Sequence, residues 1–163
     1  MAGPAFVLSS SQIISTILAI SISLPIPSTT AQQQEPVHTV LKGVPLLTWN
    51  DTLAEAARTW GLTLTGNCDL IHSTGPYGEN LFNGTGLDWR PQDAVYYWSI
   101  EENYYNLAAN TCVPDQMCGH YTQVVWKTTE RVGCGVLTCN GSNDTVSLCF
   151  YDPPGNWEGE RPY

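Results

Sequence analysis

Arg131-Val132-Gly133-Cys134-Gly135-Val136-Leu137-Thr138 and Thr145-Val146-Ser147-Leu148-Cys149-Phe150-Tyr151, separated by Asn140-Gly141-Ser142-Asn143-Asp144, decide the fold. Two runs rich in Val, Thr and aromatic residues flank a cluster of turn formers, the pattern of a β-hairpin. When the strands pair around that turn, Cys134 faces Cys149. Cys139 has the opposite parity, so its side chain leaves by the other face of the sheet. It needs a partner elsewhere, and Cys68 is the remaining distant candidate once Cys112 and Cys118 close their short loop. Six cysteines permit many connectivities; parity favours this one.

Outward from the hairpin, Thr122–Lys127 also reads as a strand, with His120 at its opening. Asn50 to Leu64 reads as a helix, because Leu53, Ala56, Ala57, Trp60 and Leu64 recur at three-to-four spacing. Asn50 can cap it, Thr52 with Glu55 offers an alternative capping box, and Gly66 stops it. Asn67–Asp88 is rich in Gly and polar residues and reads mostly as loop. Pro91 suits the first turn of a second helix running to about Tyr105. Ala94, Tyr97/Trp98 and Glu101 fall on one stripe of it, though periodicity equally allows Glu102. Helices first, strands after and crosslinks between them predict an α+β sandwich.

The chain of 163 residues allows one domain and can bury a real core. Its 42% hydrophobic and 13% charged residues exclude a disordered chain. Six Lys+Arg against 15 Asp+Glu give a net charge of −9. That balance argues against sequence-independent nucleic-acid binding, which needs clustered cations on phosphates, and against electrostatic adhesion to anionic lipid. Met1–Ile26 carries no charged side chain, and its apolar part, Ile13–Leu24, is interrupted by Ser15, Thr16, Ser21 and Ser23. It falls short of the roughly 20 apolar residues a spanning helix requires. Residues 1–31 therefore read as a secretory leader, with Thr29-Thr30-Ala31 as the small residues before cleavage, although a basic start is absent. Residues 32–163 form the expected mature domain. Sequons at Asn50, Asn83, Asn140 and Asn143 and an even cysteine count agree with an oxidising compartment.

Few residues invite chemistry. The histidines are His38, His72 and His120. His72 precedes Ser73, and Glu79 follows in Gly78-Glu79-Asn80. Imidazoles and carboxylates can hold Zn²⁺, but the spacing matches no local zinc motif, and a structural network of histidines hydrogen-bonded to carboxylates is the plainer reading. No G-x-S-x-G, G-x-G-x-x-G or Walker sequence occurs, and all six cysteines read as bridged. The aromatic run Tyr96, Tyr97, Trp98, Tyr104 and Tyr105 can line an apolar groove or pack a helix onto a sheet.

Cys118–Trp126, "CGHYTQVVW", and Cys149–Trp157, "CFYDPPGNW", resemble the two signature segments of the CAP superfamily. "YGENL" at 77–81 and "RVGCG" at 131–135 agree, and the likeness is nearest to plant pathogenesis-related proteins of class one, over about Pro45 to Tyr163. The resemblance implies a three-layer α-β-α sandwich with a central antiparallel sheet and disulfides Cys68–Cys139, Cys112–Cys118 and Cys134–Cys149, the scheme parity favours. It implies a central cavity lined by His72, Glu79, Glu101 and His120, with Glu101 selected over Glu102 because it lies three residues after Trp98. In such proteins the histidines take up Zn²⁺, so His72 and His120 are candidate metal ligands, but no cofactor is required and no catalytic residue is assigned. A zinc-dependent hydrolase is the least favoured function.

Two other functions attach to the resemblance. An apolar loop near Tyr104–Cys118 binds sterols in relatives, which makes Tyr104, Tyr105, Leu107, Val113 and Pro114 candidate lipid contacts. Residues 153–163 resemble a releasable defence-signalling peptide, implying a processing protease and a receptor; Phe150 stands where the upstream tetrapeptide usually has Asn. An extracellular, apoplastic monomer without a membrane span is expected. Relatives begin with a long helix carrying Ala-His-Asn, whereas Gln32–Val44 is short and contains Pro36 and Gly43. Helices under about 12 residues are marginal alone, so the first helix is expected to be shortened, with His38 a surface residue.

Overall fold

Both faces of the strand Thr145–Asp152 are covered: its residues 145–151 are all buried. We describe a computed structural model of the chain over residues 42–86 and 88–163. The expected leader, His38 and most of the expected shortened helix lie outside the described residues.

The elements are β1 (Thr48–Trp49), α1 (Asp51–Leu64), β2 (Gly78–Gly84), α2 (Pro91–Ile100), a 3-10 turn (Glu101–Tyr104), β3 (Tyr105–Asn106), β4 (Thr111–Cys112), α3 (Gly119–Val124), β5 (Arg131–Thr138) and β6 (Thr145–Asp152). The main sheet has the order β1-β5-β6-β2. It is antiparallel except where β1 runs parallel to β5. Cys134 faces Cys149 and Thr138 faces Thr145, the expected register. All three disulfides have the expected partners.

Alternation along β6 builds the layers. Val146, Leu148 and Phe150 pack with Leu53, Ala57 and Leu64 of α1. Cys149 and Tyr151 pack with Ala94 and Trp98 of α2 and with Tyr121, Val124 and Val125. The result is the α-β-α sandwich. Asn50 caps α1, its side chain accepting the Leu53 N–H at 3.0 Å. At Gly133 a side chain would collide with the Asn50 carbonyl and the Ala54 nitrogen, so glycine lets α1 settle directly on β5.

Three local expectations are corrected. Gly78–Gly84 is a strand, not loop: it pairs with β6 along its whole length, from Gly78↔Tyr151 to Gly84↔Thr145. The expected strand Thr122–Lys127 does not form: α3, Gly119–Val124, takes its first residues, so His120 lies in a helical turn. The second helix stops at Ile100 and tightens into the 3-10 turn rather than continuing to Tyr105.

Ion pairs stud the surface: Lys42 with Glu102, Arg58 with Glu55, Arg90 with Asp93, and Arg131 with Asp152 and Glu130. Arg161 donates instead to the carbonyls of Leu107 and Ala108. Among the described residues no helix is long and apolar enough to cross a membrane.

Candidate functional site

The four residues of the expected tetrad form two pairs. Glu101 lies in the 3-10 turn after α2, and one of its oxygens meets His120 Nδ1 at 2.6 Å. The other accepts the backbone N–H of His120 at 3.1 Å and of Tyr121 at 3.3 Å. The carboxylate thus satisfies donors that the first turn of α3 would leave open. Glu102 turns away to Lys42, whose pKa the hydrogen bond to Glu102 raises. An ionised carboxylate only accepts, so with Glu101 in that form the hydrogen of this contact sits on His120 Nδ1. The ring stacks on Trp98 at 6.0 Å.

In the second pair, Glu79 Oε2 accepts from the backbone N–H and the hydroxyl of Ser73, both at 2.8 Å, and His72 Nδ1 lies 3.5 Å away. The Glu79 side chain is 5% exposed and that of His72 60%. Glu79 Oε1 is buried without a hydrogen-bond partner. The next residue, Asn80, projects to the opposite side of β2, where its amide donates to the His120 carbonyl at 3.0 Å and to the Tyr151 hydroxyl at 3.3 Å. Asn80 therefore ties the strand bearing Glu79 to the turn bearing His120. Sequence reasoning singled out neither Ser73 nor Asn80; their positions beside His72 and Glu79 were the available signal.

Among the described residues no three His, Cys, Asp or Glu side chains come together to hold a metal ion. Each imidazole Nδ1 faces its own carboxylate instead. The donor set does not fit a zinc centre of three or four protein ligands. All six cysteines are in disulfides.

Two of the hollows among the described residues are large enough for a ligand, and neither is lined by a member of the tetrad. One, of about 720 Å³, runs between α1 and the loop before β2, with Trp60, Tyr77 and Phe150 in its walls. The other, of about 320 Å³, lies where β3, β4 and α3 meet the C-terminal segment. Tyr105, Cys112, Cys118, Thr122 and Trp126 line one part, and Asn156, Trp157, Gly159, Glu160 and Pro162 the other. Of the candidate lipid contacts only Tyr105 lines this hollow. Tyr104, Leu107, Val113, Pro114 and Met117 are exposed in the segment that also carries Tyr105 and Cys112, and Trp157 of the C-terminal wall is exposed as well. The aromatic run is divided: Trp98 is core, while Tyr96, Tyr97 and Tyr104 are exposed.

The C-terminal segment is bonded into the body. Gly155 N–H donates to Gln123 Oε1 at 3.0 Å, and Asn156 exchanges bonds with Thr122 and the Gly119 carbonyl. Asn110 reaches the Glu160 carbonyl, Lys127 N–H the Pro162 carbonyl, and the Tyr121 and Tyr163 hydroxyls meet at 2.8 Å. Gly155 has no room for a side chain against the Trp126 ring.

Residues 41–151 match CAP, the cysteine-rich secretory protein family, and the chain belongs to that family. It is 48% identical over 121 residues to pathogenesis-related protein PR-1 of Medicago truncatula, covering 74% of this chain and 70% of that protein. It is 49% identical over 121 residues to pathogenesis-related protein 1A of Nicotiana tabacum, covering 74% and 71%. Among solved structures, Schistosoma mansoni venom allergen-like protein 4 is similar at a TM-score of 0.56 and 30% identity, over 74% of each chain. Na-ASP-1 is similar at a TM-score of 0.61 and 26% identity, over 74% of this chain and 32% of that one. Within the family, the plant pathogenesis-related proteins of class one are the group to which this chain is allied.

Proposed function

We propose that this is a secreted plant defence protein that inhibits pathogens by holding a sterol-like lipid, without breaking a bond in it. The observation that supports this is the set of exposed apolar side chains Tyr104, Leu107, Val113 and Met117 on the segment 104–117, which also supplies Tyr105 and Cys112 to the wall of the smaller hollow, with exposed Trp157 in that wall. Exposed apolar side chains close in sequence to the wall of a concavity favour an apolar ligand. The net charge of −9 turns away anionic headgroups, so the interaction rests on the uncharged part of a lipid. The His–Glu pairs are read as structural: they order the turns that carry the loop. The test is titration of the oxidised protein with a fluorescent sterol. Saturable uptake, weakened at least several-fold by Leu107→Asp or Val113→Asp, is expected; no saturable uptake overturns the reading.

A second reading is that the chain also supplies a signalling peptide, residues 153–163, to a protease and a receptor. The exposure of Asn156 through Arg161 supports it, because most of the peptide already lies at the surface; the bond to be cut, Asp152–Pro153, is half-buried at the end of β6. Mass spectrometry of extracellular fluid from challenged tissue is expected to find the free peptide; its consistent absence removes the reading.

A further inference from the structure

Four sequons compete in this chain, and two of them are the same tripeptide: Asn50-Asp51-Thr52 and Asn143-Asp144-Thr145. A transferase that read only the tripeptide would treat those two alike, so the difference between them is one of fold. We propose that Asn143 is the N-glycosylation site of the folded, exported protein, and that Asn50, Asn83 and Asn140 are excluded by the structural work of their side chains. The proposal rests on the reading of the chain as exported.

Asn50 is half-buried and caps α1 through its side-chain oxygen. Its backbone N–H is bonded to Val132 O at 2.9 Å and its carbonyl to Ala54 N–H at 3.0 Å, so the residue is fixed between α1 and β5. Asn83 uses the very nitrogen a glycan would occupy to donate to the Cys68 carbonyl at 2.9 Å. Asn140 turns its amide nitrogen inward to the Thr65 hydroxyl at 3.3 Å, while its backbone N–H bonds Thr65 O at 2.7 Å. A glycan on half-buried Asn50 presses against the body; Asn83 and Asn140 are themselves exposed, but each commits one of its two amide hydrogens to the body, so a glycan there must leave by the other and lie close against it.

Asn143 differs on each count. It is exposed, in the turn between β5 and β6, and no hydrogen bond engages its side chain. The turn keeps its shape without it: Ser142 Oγ accepts the Asp144 N–H at 3.1 Å and donates to Asp144 Oδ2 at 3.2 Å. Asp144 and Thr145 in turn bond Gly86. The group transferred is an oligosaccharide from a lipid-linked diphosphate donor, met in the secretory pathway before folding is complete. The Asn143 amide nitrogen bonds to the anomeric carbon as that carbon's bond to the diphosphate breaks. The amide proton passes to a base of the transferase, and the lipid diphosphate leaves. Chains carrying a glycan at one of the other three positions fold less well and are removed before export.

The test expresses the full chain in plant leaf in two arms, with its own N-terminus and with a proven secretory leader added in front of it. Intact glycopeptides of the exported protein are then mapped by mass spectrometry. Occupancy at Asn143 several-fold above Asn50 is expected, with Asn143→Gln losing one glycan's mass and the Gln variants at 50, 83 and 140 losing none. Exported protein from the added-leader arm that is bare at Asn143, or glycosylated chiefly at another sequon, overturns the proposal. Failure of export in the native arm alone overturns the export reading and leaves the site choice to be decided by the other arm.

Discussion

The Glu101 carboxylate grips His120 twice: one oxygen meets the ring Nδ1 at 2.6 Å and the other accepts the His120 backbone N–H at 3.1 Å. A side chain after α2 thereby fixes both the start of α3 and the orientation of the imidazole it carries. Replacing Glu101 by Ala leaves the His120 and Tyr121 N–H groups without their acceptor. The expected loss is about 2 kcal/mol at neutral pH, read as a lower urea midpoint. Glu102→Ala removes a partly exposed pair with Lys42 and is expected to cost under about 1 kcal/mol. Equal effects of the two substitutions would contradict this assignment of roles.

Asn80 is almost fully buried and bridges β2, α3 and Tyr151. Asn80→Ala strands the Tyr151 hydroxyl and takes the cross-link from the His120 carbonyl. A loss of about 2–3 kcal/mol is expected, together with faster amide exchange in α3.

Removal of the C-terminal segment after Asp152 takes away its bonds to Gln123, Gly119, Asn110, Leu107 and Lys127. At about 1 kcal/mol net for each bond, the truncated chain is expected to lose several kcal/mol and to be cut by protease in the β3–β4 loop. It also loses one wall of the smaller hollow. Fluorescent sterol uptake should fall with the tail, so the two proposed roles would exclude one another within a single molecule. Undiminished uptake by a truncated chain would show the roles to be independent.

Alkali offers a cleaner probe of the core. Burial pushes the Tyr121 phenol far above its ordinary range, helped by the bond to Tyr163, and burial does the same to Tyr151 against the opposing bond from Asn80. The unfolded phenols ionise near pH 10. In the folded protein these two keep their protons, so stability is fully present below about pH 10 and falls as pH rises beyond it. Titration by ultraviolet absorbance should show two of the eight tyrosines ionising only with the cooperative loss of structure. Tyr121→Phe should raise the alkaline midpoint, at a cost of about 1 kcal/mol near neutrality for the lost hydroxyl contact.

The disulfides differ in what they constrain. Cys68–Cys139 spans 71 residues of sequence, Cys134–Cys149 spans 15 and Cys112–Cys118 spans 6. In the loop-entropy picture these correspond to about 4, 3 and 2 kcal/mol. Paired Cys→Ala substitutions should lower the denaturation midpoint in that order, with Cys68/Cys139 the most costly.

The hairpin was legible because its turn chemistry and cysteine parity both depend on one register, and α1 because Asn50 and the apolar stripe agree. α3 was misread for a physical reason. Val124, Val125 and the flanking Tyr121 and Trp126 favour a strand, yet the capping carboxylate of Glu101 and the bridge at Cys118 impose a helical turn. Gly78–Gly84 looked like loop because two Gly and two Asn have poor strand propensity; pairing with β6 outweighs it. The residues alone pointed to His72, Glu79 and His120 but left Glu101 and Glu102 equal; the family likeness chose Glu101 and made the four a set. That they meet as two His–Glu pairs joined through Asn80 is a tertiary fact, invisible in spacing. The fastening of the tail through Arg161, Pro162 and Tyr163 was invisible for the same reason.

The ion pairs have a further consequence for transport. Lys42, Arg58, Arg90 and Arg131 are each answered by a carboxylate of the same molecule, and Arg161 by main-chain oxygens. The surplus of negative charge is left facing outward. Within a Debye length of about 8 Å at physiological salt, such a particle is repelled by a polyanionic gel and finds no foothold on it. In an acidic polysaccharide matrix it should percolate rather than adsorb, with Lys127 the one Lys or Arg side chain outside these pairings among the described residues, and its spread there would be limited by pore size and dilution.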